Sequence, residues 1–149
     1  MPYTTVVVGT DGSATSEIAV RHAGKLAADQ GARLVVVTAY EAHADEPTAK
    51  TRGATVENKW ALTDRHQAEE KARYGETLAA EAGAANIIVR AVAGSPPDVL
   101  LETAADLGAD VIVVGSKGLT GASRFVLGSV ASAVSHHAPC DVLIVQTAD

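Results

Sequence analysis

The sequence predicts an α/β protein built on an open parallel sheet with helices on both faces. Three observations predict it. Short β-branched runs recur without hydrophobic alternation, which fits strands buried on both faces. Segments of helical period lie between them. Aromatic residues make up only 3% of the 149 positions, so Val, Ile, Leu and Ala must fill the core. That suits closely layered sheet and helix, and the length suits one domain spanning residues 1–149.

The elements follow in order. Thr5 to Thr10 (TVVVGT) reads as the first strand, closed by Gly9 and the Asp11-Gly12-Ser13 turn. Ala19, Val20, Ala23, Leu26 and Ala27 recur at helical spacing, and Gly31 ends that segment. Leu34 to Thr38 is the second strand. Glu41 to Glu57 is polar and aperiodic, with Pro47 and Gly53 inside it, and reads as a long exposed loop. A helix is expected from Trp60 onward, with Ala68, Ala72, Gly75, Ala79 and Ala82 on one face. Glu69, Glu70 and Lys71 fall on its solvated side. Asn86 to Val92 is the third strand. Pro97 suits the start of the next helix, which carries Leu100, Ala104 and Leu107 on one stripe. Val111 to Val114 is the fourth strand, Ser129 to His137 a helix, and Val142 to Gln146 the last strand. Strict alternation of strand and helix places any ligand beyond the carboxyl ends of the strands, where strand order reverses.

Composition excludes several function classes. The net charge of -6 and the lack of any Lys/Arg-rich run argue against nucleic acid and anionic membrane surfaces as partners. One Trp, three Tyr and one Phe supply little base-stacking surface. The single cysteine, Cys140, rules out an internal disulfide framework and a Cys-based zinc site. The apolar runs are too short to span a bilayer, and the start lacks the features of a signal peptide, so a soluble cytoplasmic protein is expected.

The chemistry is expected after the fourth strand. Gly115, Gly118 and Gly128-Ser129 give the spacing Gly-x2-Gly-x9-Gly-Ser. Glycines let backbone amides approach an anion with no β-carbon in the way. A helix start adds unpaired N–H groups and the positive end of a dipole. Ser129 suits a hydroxyl donor or the cap of that helix. Residues 115–129 contain Lys117 and Arg124 and no acid, so a local +2 sits in a chain whose remainder carries -8. The same residues also fit ordinary turn glycines with no ligand. The spacing is neither a dinucleotide fingerprint nor a Walker A loop. Asp11 fits two duties, a ligand contact or the closure of its own turn. His136 and His137, at the end of a helix, suit the terminal carbonyls better than a metal.

At this point the residues resemble a known family. Val6 to Ser13 (VVVGTDGS), Ala109 to Gly118 (ADVIVVGSKG), and Gly128-Ser129 with Pro139 to Val145 (PCDVLIV) are similar to the universal stress protein family over essentially the full length. The complete glycine spacing is similar to the ATP-binding branch. The resemblance implies a doubly wound five-stranded parallel sheet in the order 3-2-1-4-5. It also implies a homodimer made largely through Val142 to Gln146. Its ligand would be an adenine nucleotide, ATP foremost with AMP and cyclic AMP as alternatives, with Mg²⁺ as a possible companion.

Carried across residue by residue, Gly9, Thr10 and Asp11 would lie beside adenine and ribose, and Ala39 would line the adenine slot. Val114 and Gly115 would sit beneath the ribose. Gly118, Gly128, Ser129 and Val130 would surround the phosphates, with Lys117 as an added contact. The resemblance implies a stress-response binding protein. A slow ATPase is the alternative. A phosphoacceptor module would need an acid at the end of the third strand, where Val92-Ala93-Gly94 stands instead.

Overall fold

The computed structural model of the chain describes residues 2–41, 56–116 and 127–147, with the side chains of 56–63 outside that description. The elements run β1 (Thr5–Gly9), α1 (Ala14–Gln30), β2 (Arg33–Tyr40), α2 (Val56–Glu81), β3 (Asn86–Ala93), α3 (Pro96–Leu107), β4 (Val111–Gly115), α4 (Ser129–His137) and β5 (Asp141–Val145). All strand pairs are parallel, and the sheet order is β3-β2-β1-β4-β5. The expected doubly wound α/β architecture is the observed one.

The valine runs explain the layering. Side chains alternate across a strand, so a run without alternation serves two cores at once. Val6 and Val8 join Leu34, Val36, Val111 and Val113 against α1 and α2. Val7 joins Val35, Val37, Ile112 and Val114 against α3 and α4. Alanines and glycines on the helices let them sit close to the sheet. Ala19, Val20, Ala23 and Ala27 of α1 and Leu78 and Ala79 of α2 are all buried.

Several boundaries differ from the sequence reading. β1 stops at Gly9, although the Thr10 amide still bonds to the Val37 carbonyl at 3.0 Å. α2 begins at Val56, so it takes in the last part of the expected Glu41–Glu57 loop, of which residues 42–55 lie outside the described residues. β5 covers Asp141–Val145, one residue earlier than Val142–Gln146. Helix starts obey their local chemistry better. Ser13 caps α1 by accepting the Ser16 amide, and Ser95 caps α3 by accepting the Asp98 amide, with proline in the first turn of α3.

At the amino ends of the strands, Asp110 Oδ2 accepts from the Thr4 and Thr5 amides and the Thr4 hydroxyl at 2.7 to 2.9 Å. This ties the entering chain to the β4 side of the sheet. The carboxyl ends of the strands are left for the pocket.

Candidate nucleotide site

β1 is flanked by β2 on one side and β4 on the other, so the order in which successive strands are added reverses beside it. Connections on the two sides leave to opposite faces, which opens a crevice above the strand ends. A pocket of about 830 Å³, counted with its open mouth, occupies that crevice. Its floor is Gly9 and Thr10 of β1 and the turn after it, Val37 and Ala39 of β2, and Val113, Val114 and Gly115 of β4. Helix starts form the walls: Ser13, Thr15 and Ser16 from α1, Pro96, Val99 and Leu100 from α3, and Gly128, Ser129, Val130 and Ala131 from α4. An apolar slot with a few convergent polar groups is the usual composition of a small-ligand site.

The β1 turn holds its polar groups tightly. Gly12 has φ +82°, a conformation that suits glycine. Its amide donates to Thr10 Oγ1 at 3.1 Å, and the Ser13 amide donates to Asp11 Oδ1 at 2.9 Å. Ser16 Oγ donates to the Ser13 carbonyl at 2.9 Å and lies 3.0 Å from Thr10 Oγ1, so in that second contact Thr10 is the donor. Burial pushes the Asp11 carboxyl up, but hydrogen bonding, chiefly from Ser13, outweighs it and holds the group below its ordinary value. Asp11 is therefore ionised at neutral pH. It closes the turn through one oxygen, while the cap of α1 belongs to Ser13.

The start of α4 is built differently from those of α1 and α3. Its N-cap is Gly128, with φ -64° and ψ 164° and no side-chain cap, and its first turn has no acid. α1 has the Ser13 cap and Glu17, and α3 the Ser95 cap and Asp98. The expected cap at Ser129 is thus corrected. Ser129 is the first helical residue, because the Gly128 carbonyl already accepts the first helical amide, from Ser132, at 2.9 Å. An uncapped helix start facing a pocket keeps its amide donors and its positive dipole end for an anion.

Of the residues singled out in the sequence, Gly9, Thr10, Asp11, Ala39, Val114, Gly115, Gly128, Ser129 and Val130 all line this pocket. Lys117 and Gly118 lie outside the described residues. Sequence reasoning missed the first turn of α1 and the whole contribution of α3. The signal for the former was present, since a helix that follows β1 after four residues must begin at the same rim. His136 Nδ1 lies 2.8 Å from the Ser132 carbonyl, inside its own helix. Among the described residues no three His, Cys, Asp or Glu side chains gather as a metal site, and no helix is long and apolar enough to cross a membrane.

Comparison with known proteins gives the family. A profile of the universal stress protein family matches residues 2–146. The chain belongs to this family. Universal stress protein Rv1636 of Mycobacterium tuberculosis H37Rv is 37% identical over 145 residues, covering 97% of each chain. Among solved structures, a universal stress protein in complex with cAMP is 37% identical, with a TM-score of 0.75 and 99% of both chains covered. UspA from Lactobacillus plantarum, at 24% identity and a TM-score of 0.80 over 98% of this chain and 99% of that one, shares the fold. So does the Archaeoglobus fulgidus member in complex with dAMP, at 23% identity, a TM-score of 0.66 and coverage of 98% and 100%. Two solved structures of this fold thus hold an adenosine nucleotide, cAMP in one and dAMP in the other.

Proposed function

We propose that this family member binds an adenine nucleotide in the crevice above β1 and β4, as a regulatory stress-response protein of the cytoplasm. The base lies against Val37 and Ala39 with Gly9 and Thr10 beside it. The ribose rests over Val114 and Gly115 near Asp11, and the phosphate meets Gly128, Ser129 and Val130. One observation carries this reading: the bare start of α4 opens into the pocket at the switch point of the sheet. The 37%-identical structure in complex with cAMP supports it from outside the chain.

ATP is the first reading for the nucleotide, on the complete Gly-x2-Gly-x9-Gly-Ser spacing, with Lys117 and Gly118 adding to the phosphate contacts. Asp11 then has one oxygen engaged by Ser13 and stays ionised, which fits a ribose hydroxyl or a Mg²⁺ held through water. A lone carboxylate leaves most of the ion's ligands to phosphate and water, the usual arrangement for Mg²⁺. Cyclic AMP is the second reading, favoured by the 37%-identical structure. Calorimetric titration with ATP, AMP and cyclic AMP, each with and without Mg²⁺, separates them. ATP binding that is tightest and strengthened by Mg²⁺ supports the first reading, a preference for cyclic AMP independent of Mg²⁺ supports the second, and no heat with any of them refutes both.

β5 is an edge strand paired only with β4, and Leu143 and Ile144 on it are 40% and 37% exposed. An apolar edge of this kind invites pairing with another chain. The homodimer of this reading forms there, along Asp141–Val145.

A further inference from the structure

Ser116 follows β4 directly and is buried, 6% exposed. Its amide donates to the Val145 carbonyl at 2.8 Å, which extends the β4–β5 ladder past the Gly115–Val145 pair. Its carbonyl accepts the Gly128 amide at 2.8 Å. Its hydroxyl donates to Gln146 Oε1 at 2.9 Å and accepts the amide of the equally buried Thr147 at 3.1 Å. One small residue, through its side chain and both of its main-chain groups, thus joins the end of β4, the end of β5 and the N-cap of α4.

We infer that Ser116 is a positioning residue that holds the Gly128 peptide, and with it the phosphate end of the pocket, to the edge strand β5. The Gly128 amide points back to Ser116 and its carbonyl accepts from Ser132, so both sides of this residue are fixed. The direction of the first α4 amides follows from that. A binding site works when its donors are held within about 0.5 Å, and partners outside the site supply the restraint. Replacing Ser116 by alanine keeps its two main-chain bonds. It removes the hydroxyl's bonds to Gln146 Oε1 and to the buried Thr147 amide, the side-chain ties between the ends of β4 and β5. The end of β5 is then held less firmly, and so is the Ser116 carbonyl that accepts the Gly128 amide.

The test compares Ser116→Ala with Asp110→Asn in the full chain. Asp110 holds Thr4 and Thr5 at the opposite end of the strands, so its variant loses stability without touching the pocket. The first readout is hydrogen exchange at the Gly128 amide in ligand-free protein. Ser116→Ala is expected to speed it at least about fivefold more than Asp110→Asn does. The second readout is nucleotide affinity, which rests on the reading proposed above, and is expected to fall about fivefold in Ser116→Ala alone. A Gly128 amide that exchanges equally in both variants overturns the inference, whatever the nucleotide does. If the wild-type chain binds no nucleotide but Gly128 exchange responds as expected, the nucleotide reading falls and the positioning by Ser116 stands.

Discussion

Gly24 of α1 faces Ala79 of α2 at a distance that leaves no room for a β-carbon. An added carbon there would stand 2.8 Å from the Ala79 carbonyl oxygen and 2.9 Å from its Cα, both backbone atoms that side-chain motion cannot clear. This close approach sets α1 against α2, and the first turn of α1 supplies Ser13, Thr15 and Ser16 to the pocket.

Gly24→Val is therefore expected to destabilise the protein by about 2 kcal/mol, the usual scale of overpacking against a fixed neighbour. The helix-propensity gain on leaving glycine is smaller and does not offset it. Urea unfolding measures this, and a variant as stable as wild type refutes the packing argument.

Thr38 gives the opposite sign. Its Oγ1 is buried and has no hydrogen-bond partner among the described residues, and the residue is 2% exposed. Valine has the same shape without the desolvated hydroxyl, so Thr38→Val is expected to raise stability by about 1 kcal/mol. Nucleotide affinity should stay unchanged, because Val37 and Ala39 line the pocket and Thr38, between them, points to the other face of β2.

Asp110 makes stability depend on pH. Hydrogen bonds from the Thr4 hydroxyl, then from the Thr4 and Thr5 amides, hold its carboxyl below the ordinary 3.8. These bonds exist only in the folded chain, so the folded state binds this proton less readily than the unfolded one. The stabilisation is full above the ordinary value and is lost as pH falls through it and on through the lowered folded value. Urea midpoints taken from about pH 6 down to about pH 3 should fall less steeply in Asp110→Asn than in wild type. Parallel curves would mean that the N-terminal latch contributes nothing.

The β5 edge yields a test of assembly. Lysines at Leu143 and Ile144 place charge on an edge that the dimer would bury. Light scattering should report a dimer for wild type and a monomer for Leu143→Lys/Ile144→Lys, with the far-ultraviolet spectrum unchanged. A monomeric wild type, or a dimeric variant, contradicts the proposed interface.

The sheet was readable in the sequence because each central strand must satisfy two cores, which forces uninterrupted runs such as Val6-Val7-Val8 and Val111 to Val114. Strand ends were less readable. Asp141 joins β5 through pairing with Val111, and no side-chain pattern records a backbone register. The floor of the pocket was legible because glycine and a β-branched run mark strand ends. Its α3 wall was not, since Val99 and Leu100 read as core whether or not a cavity lies beside them. The bounds of α4 were legible, but of the two duties offered for Ser129 the cap belongs to Gly128, because glycine, unlike serine, carries no side-chain mark of an N-cap. The Thr38 hydroxyl, unpartnered among the described residues, has no signature in sequence at all.

The central claim is that bare amides at the start of α4 hold a phosphate, and Gly128→Asp tests it most directly. With φ -64° and ψ 164°, position 128 accepts a side chain without backbone strain, and aspartate is a better N-cap than glycine by a few tenths of a kcal/mol. The variant fills the anion site with its own carboxylate. Calorimetry should show nucleotide affinity falling by at least about tenfold, or about 1.4 kcal/mol, while thermal stability holds or rises. Undiminished affinity in a folded Gly128→Asp protein would contradict the account.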